Sequence, residues 1–363
     1  MFYKQDWEES KPRFEAWWNR DVADRPLVQV TAPRRQPLPP PEPRKAPPTA
    51  EGRWLDADYR IGLFEERASR TSFLGDAFPF FDTNIGPGSL ALYLGSPPTF
   101  DDATVWYGKC VESLAVSPLP SYDPSNPLWQ ASLELCRRGA ERLAGKALVT
   151  FPDLIENLDT LASLRGTQEL LLDLVECTEE VHRWQRALLD LYFDYYDRLY
   201  DVIREEDGGS CFSGFHIWGP GRIAKLQCDM SAMISPAMFE EFVAPYLAEQ
   251  CRRLDYSAYH LDGPQAIQHV DALLAIQELD GIQWTPGAGS PDIGSEVWMP
   301  LYRKIRAGGK SLMLIFLSPD DAERIVSELG PEGLDMCFLA ESKEEADEII
   351  RRSASWRKLH PGG

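Results

Sequence analysis

The residues best suited to chemistry close the stretch "YSAYHLDGPQ", Tyr256 to Gln265, where an apolar and aromatic run stops at His260 and Asp262 before Gly-Pro. Side chains alternate along a strand, so His260 and Asp262 share one face while Tyr259 and Leu261 take the other. An imidazole and a carboxylate so placed suit two kinds of work. They can hold a divalent metal, or the carboxylate can orient the imidazole as an acid or base. The same parity joins Gln227 to Asp229 at the end of "IAKLQCDMS" and turns Leu226 and Cys228 toward packed helices. Further strand ends offer Asp153, Gln283 with Trp284, and Glu341, and neighbouring loops add Asn157 and Trp218. Asp76 and Asn84, in the segment from 70 to 95, are additional candidates for the same site. Strand ends meet solvent and are polar in any protein, but here His260 and Asp229 both follow apolar runs.

Such a set needs a scaffold that brings many strand ends together. The second half of the chain supplies one. "IAKLQCDMS", "YSAYHLDG", "DGIQWTPGAG", "SLMLIFL" and "LDMCFLA" read as strands. Between them lie helical patterns: "ISPAMFEEFVAPYLAEQCRRL" with Ser235 as N-cap and Pro236 in the first turn, "AIQHVDALLAI", "EVWMPLYRKIRAGG", "SPDDAERIVSELG" and "SKEEADEIIRR" with a Ser342/Glu345 capping box. Pro245 should kink the first of these helices. Upstream, "PLVQVTAP" and "ALVTFPDL" read as strands, residues 80–95 as an irregular loop entering a short helix, and 166–203 as two helices with the second starting near Thr178. Strand and helix alternating at this spacing mean βαβ units and a parallel sheet. A doubly wound sheet usually carries a glycine-rich phosphate turn after its first strand, and prolines stand there instead. The expectation is a single (β/α)8 TIM barrel over residues 1–363, with an N-terminal helical and proline-rich extension. In that fold the chemistry sits at the carboxyl ends of the strands. The proline-dense loop 33–50 is an extended linker or a stiff flap over the mouth.

Composition narrows the partners. With 363 residues and a formal net charge of −20, the chain repels nucleic acid and anionic membranes, and a highly acidic substrate requires local arginines to override the field. The seven cysteines, an odd number without a C-x-x-C pair, read as reduced thiols and hence as a cytoplasmic protein. The N-terminus lacks the pattern of a secretory signal, and no apolar run is long enough to span a bilayer.

"MISPAMFEEFVAPYL", followed about 20 residues later by the strand ending "YHLDG", resembles the uroporphyrinogen decarboxylase superfamily, which includes cobalamin-dependent methyltransferases. Asp229 matches the aspartate before the I-S-P-x-x-F helix start, and His260-Leu261-Asp262-Gly263 matches H-x-C-G or H-x-S-G. "LDGIQWT" and "GLDMCFLAESKEEADEII" resemble later family strands, so the likeness runs from about Gly214 to Arg352. It implies a barrel with a pocket over its carboxyl end. For the methyltransferases it implies zinc on the His and Cys of H-x-C-G and on a second Cys of the last strand, with a separate corrinoid protein carrying the methyl group. For the decarboxylases it implies a metal-free site with N-terminal arginines.

The chain departs from both patterns. Asp262 replaces the first cysteine, and Ala340 falls at the second. Cys337 and Glu341 are offset from Ala340 by odd numbers and are expected on the opposite face. "PRRQP", Pro33 to Pro37, offers two arginines without the R-Q-A-G-R form. The leading expectation is a corrinoid-linked methyltransferase acting on a small methylated compound. His260 and Asp229 are its catalytic residues, and His260 with Asp262 its zinc ligands. Asp76, Asn84, Asp153, Asn157, Trp218, Gln227, Gln283 and Trp284 bind substrate. Trp218 and Trp284 would wall the pocket, and a quaternary amine would suit such rings. The alternatives are a tetrapyrrole carboxy-lyase and a non-catalytic small-molecule-binding barrel.

Overall fold

The computed structural model describes residues 1–39 and 45–357. In chain order its strands are β1 (Leu27–Pro33), β2 (Thr71–Gly75), β3 (Phe80–Phe81), β4 (Pro98–Phe100), β5 (Val105–Tyr107), β6 (Leu148–Val149) and β7 (Ser210–Phe212). The later ones are β8 (Ile217–Gly219), β9 (Ile223–Leu226), β10 (Tyr256–Asp262), β11 (Gly281–Thr285), β12 (Ser311–Ile315) and β13 (Leu334–Leu339).

Seven strands form the main sheet in the order β2-β1-β13-β12-β11-β10-β9. All neighbours are parallel except β2, which runs antiparallel to β1. Helices cross between successive strands of the second half, as the alternation predicts. The outward residues Val30, Leu226, Tyr259, Leu261, Ile282, Leu312 and Met336 are almost fully buried against those helices. The inward face is polar in several layers: register aligns His260 with Gln283, Gln283 with Met313, and Met313 with Asp335.

The arrangement is barrel-like, but its ladder is not the expected closed ring. Between β2 and β9 the described residues form only short separate pairs: β3 with β6 in parallel, and the hairpins β4–β5 and β7–β8, with a bridge between Phe151 and Phe212 joining β7 to the end of the β6 segment. Strand "ALVTFPDL" is reduced to Leu148–Val149. Pro79 and Pro152 flank the short strands and have no N–H to extend a ladder, which accounts for the interruption. The proline segment falls partly outside the described residues, so its reading as a flap is not placed. Its first residue, Pro33, ends β1.

The N-terminal helix Trp7–Trp18 closes the amino end. Trp18 Nε1 donates to the Trp218 carbonyl at 2.8 Å, and Ser311 Oγ donates to the Trp17 carbonyl at 2.5 Å. Gly219 permits this approach: a Cβ there would stand 2.5 Å from Ile223 and 3.0 Å from Trp18 Nε1.

Helix boundaries follow local signals. Ser235, Ser318 and Ser342 each accept the backbone N–H three residues on, at 3.2, 3.2 and 3.1 Å. The helix expected to kink at Pro245 breaks outright at Val243, giving Pro236–Phe242 and Ala244–Arg252. The segment after β6 carries Ile155 and Asn157 at positive φ, 53° and 39°, before the helix Asn157–Arg165.

Candidate functional site

Two polar groups meet at the carboxyl ends of β9, β10 and β11. The first is His260. Its Nδ1 lies 2.5 Å from Gln283 Oε1 on the adjacent strand. The Gln283 amide is oriented from its other end, because Nε2 donates to the Trp284 carbonyl at 2.7 Å and to Thr285 Oγ1 at 2.9 Å. Oε1 therefore faces the imidazole as an acceptor, and Nδ1 carries the proton. In the neutral ring this leaves the lone pair on Nε2, which lies 4.0 Å from Asp262 Oδ2. Burial, with the Lys225 charge helping, holds His260 below the ordinary histidine range, while Gln283, Asp262 and Asp229 pull the other way.

The second group centres on Lys225, which parity places one step deeper than Gln227. Its ammonium is almost fully buried, pairs with Asp153 at 2.8 Å, and donates to Gln227 Oε1. Burial favours the neutral amine, yet its acidic neighbours, Asp153 first among them, outweigh it and raise the Lys225 pKa. Asn84 accepts the Asp153 N–H and reaches Ser213 Oγ at 3.5 Å. Glu156 accepts the Gln227 N–H through Oε1, while Oε2 is buried without a partner. Desolvation pushes Glu156 well above the usual carboxylate range.

Asp229 does not end a strand as expected. β9 stops at Leu226, and Asp229 opens a 3₁₀ turn through Met233. Asp159 explains the turn: its Oδ2 accepts the Asp229 N–H at 2.6 Å and its Oδ1 the Met230 N–H at 3.0 Å. Burial and the Asp229 charge push Asp159 up to about 6. Asp229 itself is exposed to the mouth, but the protein around it displaces enough water to raise its pKa against the pull of Lys225 and His260. A cavity of about 530 Å³ opens beside Asp229 and Asp159, bounded by Tyr107 and Met233.

His260, Asp262, Gln283, Gln227, Asp153 and Asn84 thus belong to these two groups, with Asp229 at their edge. Four expected residues lie elsewhere. Asp76 sits at the amino end of β1, where it pairs with Arg25 at 2.6 Å and Arg13 at 3.1 Å and accepts the Val28 N–H at 3.0 Å. Trp218 belongs to the floor, edge-on to Trp7 at 5.5 Å and donating to Glu205 at 2.6 Å. Trp284 faces outward against Trp298, with ring centroids 5.0 Å apart, because it has the parity opposite to Gln283. Asn157 is buried beside Gln250, 3.4 Å from its Oε1, between helices.

The sequence reading missed Lys225, Glu156, Asp159 and His216. Extending the Gln227 parity back by two residues finds Lys225. The carboxylates after "FPDL" carry no such signal, because their placement depends on the positive-φ turn at Ile155 and Asn157.

The donor set does not fit a resident zinc. His260 and Asp262 supply two donors, and among the described residues no three His, Cys, Asp or Glu side chains gather for a metal. Cys337 proves to share a face with Asp335, its Sγ 4.0 Å from Asp335 Oδ1, and so lines the interior rather than turning outward as expected. Glu341 is exposed beyond the end of β13. The described cysteines are all free thiols, and among the described residues no helix is long and apolar enough to cross a membrane.

No protein-family model matches this chain, and no curated protein matches it. Among solved structures, a methyltransferase from Methanosarcina mazei matches over 95% of this chain and 98% of its own, with a TM-score of 0.59 and 10% sequence identity. The chain is therefore similar in fold to that methyltransferase across nearly the whole length of both.

Proposed function

We propose that the chain is a methyltransferase-like enzyme acting on a small methylated compound, with the methyl group passed to or from a corrinoid carried by a separate protein. The observation that carries this reading is the His260–Gln283 contact, which leaves an unprotonated Nε2 at the mouth beside Asp262. The fold likeness and the resemblance of the H-x-D-G strand support it.

Methyl transfer from a neutral ether, thioether or amine leaves a heteroatom anion that must be protonated, and the reverse reaction must remove that proton. When the bond between carbon and heteroatom breaks, its electron pair stays on the heteroatom, which takes a proton that neutral His260 first picks up from solvent on Nε2. In reverse, neutral His260 accepts the proton as the heteroatom gains the methyl group. The corrinoid supplies a nucleophilic metal centre for the methyl group. Gln283 fixes the ring, Asp262 favours the protonated form as it develops, and the Lys225–Asp153 pair orders the wall beside Gln227. No step needs zinc.

The test uses purified protein with free cob(I)alamin as surrogate acceptor and a panel of methylated alcohols, amines and thioethers, followed by methylcobalamin absorbance. Turnover that falls by about 10²-fold or more in His260→Ala supports the reading. Turnover unchanged in that variant removes His260 from the mechanism. Conversion of uroporphyrinogen, with no methyl transfer, would replace the reading with a carboxy-lyase.

A further inference from the structure

A second cavity has the β7–β8 turn in its wall. It encloses about 410 Å³ and is lined by Phe64, Phe73, Phe78 and Phe80, with Arg67 and Arg70 on its rim and His216 in its wall. Gln29 and Thr31 of β1 and Leu339 of β13 complete its lining, which includes none of His260, Asp262, Gln283 or Asp229. His216 adopts a left-handed backbone, φ 56°, so successive rings face opposite ways: Phe215 packs on His260 at 4.8 Å, and His216 packs on Phe80 at 5.1 Å.

The charges on this cavity are unusual for a chain of net charge −20. Among the described residues the Arg67 guanidinium has no carboxylate partner, and its recorded contact is the Phe64 ring at 6.0 Å. Among the described residues Arg70 pairs only with the exposed Glu66, at 3.0 Å. The His216 backbone N–H donates to the Ser213 carbonyl at 3.2 Å, but among the described residues its imidazole has no hydrogen-bond partner and lines the cavity. Burial and the Arg67 charge push its pKa down to about 4, so the imidazole is neutral at pH 7 and the cations here are the two arginines. Phenylalanine walls desolvate an apolar body, the arginines attract an anionic end, and the neutral imidazole is free to hydrogen-bond.

We infer that this cavity binds a small amphipathic monoanion, an aryl or aliphatic carboxylate whose apolar body lies among the phenylalanines and whose carboxylate meets Arg67 and Arg70. The local arginines override the acidic field of the whole chain. The site stands independently of the methyl-transfer reading, because it requires neither His260 nor a methyl carrier.

Calorimetry on the full chain at low salt tests it, with phenylacetate, neutral phenylacetamide and cationic phenethylamine as probes. Phenylacetate should bind about tenfold more tightly than the amide, and the amine should not bind. Arg67→Gln with Arg70→Gln should weaken phenylacetate about tenfold while leaving the amide unchanged. Both arginines are exposed, and an unchanged thermal melt verifies that the variant folds. Filling the cavity with Ala77→Phe should abolish binding of both ligands. Equal affinity for acid and amide, no heat from phenylacetate at millimolar concentration, or indifference to the double arginine change would overturn the inference. His260→Ala, which removes the proposed methyl-transfer base, should leave phenylacetate binding intact.

Discussion

His260 and Gln283 stand directly opposite one another on parallel β10 and β11, and the 2.5 Å contact between Nδ1 and Oε1 fixes which nitrogen of the imidazole is free. Gln283 is fully buried, so its amide cannot turn to offer its nitrogen without losing its bonds to Trp284 and Thr285. Replacing this neutral acceptor with a carboxylate, Gln283→Glu, should raise the pKa of His260. Burial holds that pKa below the ordinary value in the wild type, so His260 is neutral at pH 7. The variant should titrate at a higher pH than the wild type. The chain has five histidines, so NMR titration with His260→Gln as the assignment control is practical. An unmoved titration would mean that Gln283 does not tune the ring.

A second expectation concerns metal. Protein purified without chelator should contain no stoichiometric zinc, and EDTA should leave its thermal midpoint unchanged. Three protein ligands are the usual set for a catalytic zinc, and His260 with Asp262 supplies two. One equivalent of zinc by elemental analysis, lost in His260→Ala, would sink this expectation and restore the metal reading.

Glu156 provides a test by pH. Burial raises its folded pKa well above the unfolded value near 4.3, so the folded state favours the protonated acid. As pH rises past that unfolded value, the unfolded chain ionises while the folded chain resists, and stability is lost until the folded pKa is passed. Glu156→Gln copies the neutral acid and keeps an acceptor for the Gln227 N–H. Relative to wild type it should gain stability in urea unfolding as pH rises above the unfolded value, until the raised folded pKa is passed. A difference that stays flat across this range would show that Glu156 ionises normally.

Much of this was legible in the sequence where chemistry is local. Serine caps at 235, 318 and 342, the strand ending at Asp262, and the shared face of His260 and Asp262 follow from short-range rules, and the structure shows each. Placement of side chains relative to the whole sheet was less legible. Trp218 and Trp284 are aromatic and close to strand ends, but one packs on a floor made by a helix some 200 residues away and the other points outward. Asp76 looked available because its partners, Arg13 and Arg25, come from the far N-terminus. The open ladder was hidden for a similar reason. The apolar run 147–154 promises a full strand, and the proline inside it limits the pairing to two residues.

The Lys225–Asp153 pair allows the wall of the site to be tested as a unit. Lys225 has 2% and Asp153 18% of its side chain exposed, and the two lie 2.8 Å apart. Removing either partner leaves the other charge in a poorly solvated place, while removing both leaves none, so the losses should not add. Lys225→Met should cost about 3 kcal/mol in urea unfolding, strengthened by the loss of the donor to Gln227. Asp153→Leu should cost about 2 kcal/mol, less because Asp153 retains some water and Glu156 is near Lys225. The double variant should lose about 1 to 3 kcal/mol less than the sum of the two. Strict additivity would show that the charges act separately, and the pair would then do nothing to order the wall beside His260.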